Sequence, residues 1–275
     1  MKKVFCFILL LVLAVLSVSV LAEGARIGAL TCIGMTEEDV KQWTADVAAA
    51  EGKATPYVND NTIVFYDNLQ TMLLALNSGE IDRMSIGSLT ANYIAARNEG
   101  LVCANRQHNA VLGYSIAMLG ENGAWIETIN SAIADMLGDG TLDALKAQYI
   151  DNLGTADPEP VALPDIEGAL TLRIAVTGDL PPMDVILADG TPAGFNTAFL
   201  AALSQRIGVN FELVSVQSSA RAEALASGVV DALFWTRGVY DQDGNALPYP
   251  LDRMEGIAIS TPFLMDSRDA VDREP

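Results

Sequence analysis

The chain has 275 residues, 51% of them hydrophobic, and a formal net charge of −19 at pH 7. This length favours two domains of about 100–150 residues each. So acidic a surface repels nucleic acid and anionic lipid, so no nucleic-acid partner is expected. The one histidine, His108, and the three cysteines show no metal-site spacing, so no cofactor or metal is predicted.

The N-terminal segment, residues 1–22, has the pattern of a secretory signal peptide. Lys2 and Lys3 precede an apolar run, and the segment ends in Val20-Leu21-Ala22, a small-x-Ala cleavage pattern. No cysteine follows the run at a lipid-attachment position. The pattern predicts export to the periplasm or the extracellular space, with a mature N-terminus near Glu23. An uncleaved membrane anchor is the alternative, because about 19 apolar residues can just span a bilayer.

Two segments of the mature chain repeat one another. Residues 76–82, Leu-Asn-Ser-Gly-Glu-Ile-Asp, are echoed at 225–231 by Leu-Ala-Ser-Gly-Val-Val-Asp, and the Arg-Ile strand start at 26 is echoed at 173. Each copy predicts an apolar strand, a later helix that ends at Ser-Gly, and a buried strand that starts at Asp. We expect the two aspartates, Asp82 and Asp231, to be structural. Two such units imply two lobes with a ligand cleft between them.

In chain order, the first half alternates between strand and helix patterns. Thr36 and the pair Asp67-Asn68 are predicted helix caps, and Gly79 is a predicted helix end. The strands are predicted at 26–31, 62–66, 81–86 and 113–119, and the helices at 36–50, 69–78, 89–97, 124–137 and 141–150.

The second half begins after a proline-containing linker, residues 154–168. Residues 178–183 are predicted to form a rigid loop, and residues 238–252 a polar loop. The strands are predicted at 172–176, 210–216 and 229–235, and the helices at 195–207 and 220–225. The alternation predicts parallel sheets in α/β lobes.

Ordered landmarks then reveal a family resemblance. They are Leu172–Val176, Pro181-Pro182, Asp189-Gly190 with Gly194-Phe195-Asn196, Ile207-Gly208-Val209, Ala224–Asp231, and Ser260-Thr261-Pro262-Phe263. In this order they resemble the first lobe of the extracellular solute-binding proteins of family 3, the amino-acid receptors of ABC importers. The resemblance implies an α/β, two-lobed periplasmic-binding-protein-like fold. It further implies that a small polar solute is captured by hinge closure and presented to the importer's membrane subunits.

The order of the parts differs from that of the family. Residues 23–119 resemble the second lobe, residues 120–153 the closing helices that complete the first lobe, and residues 169–275 the first lobe itself. The chain therefore resembles a circular permutant of the family fold, acting as a monomer. A fragment of a longer tandem protein is the alternative.

The resemblance also implies a ligand site. In the family, an arginine seven residues before the Ser of a Phe-Ser-x-Pro-Tyr motif binds the ligand carboxylate, and Arg253 has this spacing to Ser260. A guanidinium suits a carboxylate because it donates two parallel hydrogen bonds. A solvated loop arginine is the alternative. The other candidate ligand-binding residues are Thr31, Thr36, Gly87, Ser88, Leu180, Pro181, Met183, Ser218, Trp235 and Thr236.

Several positions depart from the family. Leu180 and Ser218 stand where the family commonly has aromatic residues, and Gly87 stands where it has the acid that binds the ligand ammonium. The departures argue against a standard amino-acid site, and the ligand predicted from the resemblance is a small polar solute, an amino acid or a related carboxylate. An enzyme on the same fold, dehydratase-like or cell-wall-acting, would need a placed acid such as Asp179 or Asp184. A sensing module without a transport role is a further alternative.

Overall fold

The computed structural model describes residues 24–50, 60–104, 111–241, 243–247 and 252–274. The predicted signal segment and His108 lie outside these residues. The helices are α1 (Glu37–Ala50), α2 (Leu69–Ser78), α3 (Ser88–Ala95), α4 (Gly123–Gly138), α5 (Thr141–Lys146), α6 (Phe195–Ile207) and α7 (Arg221–Ala226). The strands are β1 (Arg26–Leu30), β2 (Thr62–Tyr66), β3 (Arg83–Gly87), β4 (Leu101–Cys103), β5 (Val111–Leu119), β6 (Thr171–Val176), β7 (Asp179–Leu180), β8 (Asp184–Ile186), β9 (Pro192–Ala193), β10 (Asn210–Ser215), β11 (Ala232–Tyr240), β12 (Ile257–Ile259) and β13 (Leu264–Arg273).

The fold is mixed α/β, built on one ten-stranded sheet. Along the sheet the order is β10-β6-β11-β5-β13-β3-β1-β2, with β12 beside β5 and β4 beside β13. The outer strands on each side form a parallel trio, β10-β6-β11 and β2-β1-β3. Strands β7, β8 and β9 form a separate small antiparallel sheet. The predicted parallel pairing is thus found in both halves of the sheet.

The two parallel trios preserve the sequence repeat in detail. Asp82 accepts a hydrogen bond from the backbone N–H of Arg26 at 2.7 Å, and Asp231 accepts one from the backbone N–H of Arg173 at 2.8 Å. In both copies the helix before the aspartate is followed by a glycine with positive φ, Gly79 or Gly228. Asp82 therefore ties the start of β3 to β1, and Asp231 ties the start of β11 to β6. This is the structural role predicted for the two aspartates.

Antiparallel strands β5 and β13 join the two halves of the sheet. Residues 264–267 of β13 pair with β5, and residues 268–272 pair with β3. Strand β5 pairs on its other edge with β11. This connection was missed in the sequence, where residues 266–275 had no predicted structure. The predicted loop at 238–252 is also wrong at its start, because β11 continues to Tyr240 by pairing with β5.

Helices α4 and α5 pack against α6, in the 169–275 part of the chain. Arg206 of α6 donates hydrogen bonds to Asp139 at 2.5 Å and to Thr141 at 2.9 Å, and Asn130 of α4 accepts from the backbone of Thr261. The structure therefore places α4 and α5 against α6, and their assignment as closing helices remains a proposal. The domain boundaries and the circular permutation remain proposals.

Cutting the 154–168 linker is expected to leave both pieces associated, since β5 is hydrogen-bonded to β11, β12 and β13. A specific protease site placed after Thr155 allows one clean cut. We expect the two fragments to co-elute in size exclusion after cleavage and to separate only in urea. Separate elution without denaturant would contradict the permuted arrangement.

Buried apolar side chains run without a break from the first half of the chain into the second. Met72, Leu76 and Met84 belong to the same cluster as Phe199 and Phe234. No helix within the described residues has the length and apolar character needed to cross a membrane. Cys32 and Cys103 are not joined by a disulfide, and the Cys103 thiol donates to Asp269 at 3.1 Å.

Candidate functional site

A cavity of about 60 Å³ lies between the two halves of the sheet. Its walls come from both parts of the chain: most lining residues lie in the 24–119 part, and Leu180, Trp235, Arg237 and Arg268 come from the 169–275 part. The remaining lining residues are Ala29, Leu30, Cys32, Val40, Phe65, Ser85, Ile86, Gly87, Thr90, Leu112 and Tyr114. Most of the walls are apolar or aromatic, and guanidinium and hydroxyl groups supply the polar part.

Trp235 is held in an unusual conformation at the cavity wall. Its φ is +74°, and the register of β11 against β5 shifts between Leu233 and Thr236. A bulky residue with positive φ costs of order 1–3 kcal/mol and needs support from its surroundings. The indole stacks on Tyr114 with ring centroids 3.7 Å apart, and the backbone carbonyl accepts from Arg221 at 3.0 Å. The strand irregularity therefore places Trp235 and Arg237 together at the cavity.

Arg237 is fixed by Asp252, which lies behind it and is almost completely buried. The Asp252 carboxylate accepts from Nε of Arg237 at 2.9 Å, from Nη2 at 3.1 Å and from the backbone N–H at 2.8 Å. It also accepts from the backbone N–H of Ile33 at 2.7 Å and from Arg221 at 3.5 Å. Burial alone would raise the pKa of Asp252, but Arg237 and Arg221 lower it to about 2. The group is therefore a carboxylate shared by two guanidinium groups.

Arg268 brings a further cationic group to the cavity. Its Nε donates to the Ser85 hydroxyl at 2.8 Å. Burial lowers the pKa of Arg268, and the charge of Arg237 lowers it further. The pKa of the Cys32 thiol is raised by burial despite the neighbouring arginines, so that thiol stays neutral. Arg237 and Arg221 therefore share the ionised Asp252, and Arg268 adds a further guanidinium group at the cavity wall.

Asp266 lies beside the cavity on β13, where that strand passes from one half of the sheet to the other. Its carboxyl accepts from the Ser88 hydroxyl at 2.5 Å and from the backbone N–H of Leu89 at 3.3 Å, at the start of α3. A Cβ at Gly87 would come within 2.2 Å of Asp266, so this close approach requires glycine. Burial raises the pKa of Asp266 to about 6, although these hydrogen bonds oppose the shift.

The candidate residues from the sequence fall into distinct groups. Trp235, Leu180 and Gly87 line the cavity. Others support it: the Thr31 carbonyl accepts from Arg237, the Ser218 carbonyl from Arg221, and Ser88 donates to Asp266. Thr236 and Pro181 adjoin lining residues in the sequence, but neither they nor Met183 line the cavity.

Arg253 and Thr36 are not brought to the cavity. The Arg253 side chain is 40% exposed, lies 3.9 Å from Asp39 and borders a different surface groove. Its family spacing to Ser260 is kept in the sequence, but its neighbour Asp252 is the residue that points inward. Thr36 exchanges hydrogen bonds with Asp39, so it caps α1 as also predicted.

Asp179 and Asp184, the two acids considered for catalysis, accept hydrogen bonds from backbone N–H groups. Asp184 accepts from Thr177 and Gly178, and Asp179 accepts from the backbone N–H of Leu69 at the start of α2. Burial raises the pKa of both carboxyls. Neither residue lines the cavity. Across the described part of the chain, no group of three or more His, Cys, Asp or Glu is placed to hold a metal ion.

Comparison with known families identifies part of the chain. Residues 172–240 match the model of the bacterial extracellular solute-binding proteins, family 3. The matched segment contains the second parallel trio, β10-β6-β11, together with Trp235 and Arg237. The resemblance seen in the sequence is therefore confirmed for this part of the chain.

Three solved structures to which the chain shows similarity are the following. The GluR0 ligand-binding core in complex with L-glutamate is 11% identical, over 92% of this chain and 86% of that one, with a TM-score of 0.39. An ancestral arginine-binding protein bound to arginine is 13% identical, over 91% and 84%, with a TM-score of 0.37. The alkanesulfonate-binding protein SsuA from Xanthomonas axonopodis pv. citri, bound to MOPS, is 13% identical, over 91% and 65%, with a TM-score of 0.39. TM-scores this low support no inference about ligand or mechanism.

Proposed function

We propose that this protein is an extracytoplasmic solute-binding protein that captures a small anionic solute in the cavity between its two halves. The observation that carries this proposal is Arg237, which is oriented by Asp252 at the wall of a largely apolar cavity. A guanidinium fixed in this way loses little entropy when it binds a carboxylate. The family match over residues 172–240 supports the same function.

The proposed mechanism is hinge closure about β5 and β13. Arg237 and Trp235 lie on one side of these strands in the sheet, and Leu30 and Ser85 lie on the other. In the closed state the two sides are close together, and a ligand that contacts both binds this state more tightly than the open one. That difference in affinity is what stabilises the closed state. The solute would then pass to the membrane subunits of an ABC importer, with no chemical step on the protein.

The same proposal requires export. The N-terminal segment supplies the signal, and removal of residues 1–22 would leave Glu23 as the first residue. An intact mass of the exported protein checks this, because retention of the segment would favour a membrane anchor. The acidic net charge is consistent with a protein that remains dissolved as a monomer.

A thermal-shift screen against amino acids, polyamines and small carboxylates tests binding. A ligand at 100 times its dissociation constant stabilises the fold by about 2.7 kcal/mol. With the ligand that the screen finds, Arg237→Gln is expected to weaken binding by at least about 30-fold, because a buried charge contact is lost. Arg237→Lys should also lose affinity, since an ammonium cannot keep the bonds that Nε and Nη2 donate to Asp252 while it contacts a ligand.

Arg253→Gln is the matched control, because the same change is made at an arginine outside the cavity. It is expected to bind within about threefold of wild type. Calorimetric titration of both variants, after circular dichroism has verified their folding, gives the comparison. Equal losses in the two variants would overturn the assignment of Arg237, and a screen without any ligand would overturn the proposed function itself.

A further inference from the structure

A half-buried hydrogen bond connects the 24–119 part of the chain with the 169–275 part beside the cavity. The Asp179 carboxylate, at the start of β7, accepts from the backbone N–H of Leu69, the first residue of α2, at 2.7 Å. Helix α2 also packs against β7. Leu180, which follows Asp179 in the sequence, lines the cavity, so the bond lies close to the cavity wall.

The loop that presents Asp179 is held in place by Asp184. This buried carboxylate accepts from the backbone N–H of Thr177 at 2.9 Å and from that of Gly178 at 3.0 Å. Gly178 has a φ of +74°, and a Cβ there would come within 2.6 Å of the Ile186 side chain, so the turn requires glycine. All these contacts lie within the 169–275 part, so Asp179 is positioned without help from α2.

Helix α2 offers a favourable place for the Asp179 carboxylate. Its N-cap residue, Asn68, accepts from the backbone N–H of Thr71, and no residue in the first turn is acidic. The backbone N–H groups at a helix N-terminus carry partial positive charge and stabilise a nearby carboxylate. Asp179 therefore supplies, from the other part of the chain, a negative charge that the first turn of α2 lacks.

The contact at Asp179 is easier to break than the one at Asp252. Asp252 also joins the two parts, since it accepts from the backbone N–H of Ile33, but it is almost completely buried and shared by two arginines. Asp179 is only half-buried, so water can replace its hydrogen bond when the two parts separate. In an opening motion the contact at Asp179 therefore breaks before the arginine cluster does.

We propose that the Asp179 carboxylate is a latch that holds the cavity closed by bonding to the N-terminus of α2. This inference rests on the proposed hinge closure, because a latch acts only where the two parts move. Asp179 does not line the cavity, so it acts through the closed state and not through contact with a solute.

Cys32 provides a native reporter of opening. It lines the cavity and is 8% exposed, whereas Cys103 does not line the cavity and donates to Asp269. Alkylation with iodoacetamide at fixed pH, followed by mass spectrometry of the peptides, gives a separate rate for each thiol. The rate at a buried thiol follows the population of the open state.

Asp179→Ala is expected to raise the alkylation rate of Cys32 at least about tenfold in the absence of any solute, because a hydrogen bond to a charged group is lost. The rate at Cys103 is expected to stay unchanged. Asp179→Asn should act in the same direction but less strongly, since the amide oxygen can still accept from Leu69 without the charge.

Asp189→Ala is the matched control. The exposed Asp189 accepts from the backbone N–H of Thr191 at 2.9 Å, within the same part of the chain, so its loss leaves the connection between the parts intact. Both thiols are expected to react within about twofold of their wild-type rates. Circular dichroism and urea unfolding verify that each variant folds.

The outcomes separate the latch from the function on which it rests. If Asp179→Ala left the Cys32 rate unchanged, Asp179 would not hold the cavity closed. If it raised the rates of both thiols equally, the whole fold would have loosened, and the latch would again be overturned. Neither result bears on solute binding, because no solute is present. Failure of the thermal-shift screen would overturn solute capture, and that failure is recognised independently of the alkylation rates.

Discussion

Asp252→Asn is expected to destabilise the protein by about 3–5 kcal/mol, the cost of breaking a buried ion pair on one side only. The Arg221 side chain is 2% exposed and that of Arg237 12%, so neither guanidinium can recover its hydration when the carboxylate is lost. The same change weakens the hydrogen bonds from the backbone N–H groups of Ile33 and Arg237, which hold together chain segments distant in sequence. The loss would be a large part of a stability of typically about 5–15 kcal/mol.

Urea unfolding followed by circular dichroism measures the effect. Asp151→Asn is the control, because Asp151 pairs with Lys146 at 2.7 Å on the surface and its side chain is 48% exposed. Exposed pairs of this kind contribute about 0–1 kcal/mol. If Asp252→Asn were no more destabilising than Asp151→Asn, the buried cluster would not hold the fold together in the way described.

The low pKa of Asp252 also predicts that the protein becomes less stable in acid. Its pKa is lowered from 3.8 to about 2, so its contribution to stability is fully present above about pH 4 and is lost as the pH falls through about 2. A neutral Asp252 would leave Arg221 and Arg237 facing each other. The cluster that orients the proposed ligand-binding arginine therefore also lowers the stability of the fold at low pH.

The sequence predicts the repeated units well because their signals are local. Asn68 caps α2 by accepting from Thr71, and Gly79 ends that helix with a positive φ, both within a few residues of the pattern that predicts them. The aspartate after each Ser-Gly is also recognisable, since the repeat places it beside the same strand start in both halves. Periodicity and capping act over short distances, and they are visible without the fold.

The cavity is less predictable because non-local pairing builds it. Arg237 points inward only because β11 is irregular at Trp235 and continues along β5, far away in the sequence. Arg268 lies on a C-terminal segment in which five of ten residues are charged, and this segment becomes a strand by pairing with β3 and β5. Arg253 has the family spacing, but spacing along the chain does not determine which of two neighbouring residues faces inward.

The wild-type protein is expected to lose about 3 kcal/mol of stability between about pH 4 and pH 7, and the Asp266→Asn variant is expected to keep it. The pKa of Asp266 is about 6 in the fold against an ordinary value of 3.8, chiefly because the group is buried. The fold therefore prefers the neutral acid. The stability that this group contributes is fully present below about pH 4 and falls as the pH rises through about 6.

Asparagine imitates the neutral acid at this position. Its Oδ1 atom can keep the hydrogen bonds from Ser88 and Leu89, and its amide N–H₂ can donate to the Tyr114 hydroxyl, which is hydrogen-bonded to Asp266 in the wild type. The variant should resemble wild type near pH 4 and be more stable than wild type near pH 7. Asp139→Asn is a control of opposite sign, because hydrogen bonds from Thr141 and Arg206 lower the pKa of Asp139 to about 2.

Free energies of unfolding measured in urea at half-unit steps from about pH 3.5 to pH 7.5 give the comparison. Asp266→Asn should flatten the curve only between about pH 4 and pH 6.5. Asp139→Asn should lower the curve by a constant amount above about pH 4 and change its slope only below about pH 4. Since β13 and β5 join the two halves of the sheet, ionisation of Asp266 would be unfavourable at the junction about which the cavity is proposed to close. If wild type and Asp266→Asn had parallel curves between pH 4 and pH 7, ionisation of Asp266 would not destabilise the fold. The pKa of Asp266 could then not be raised as described.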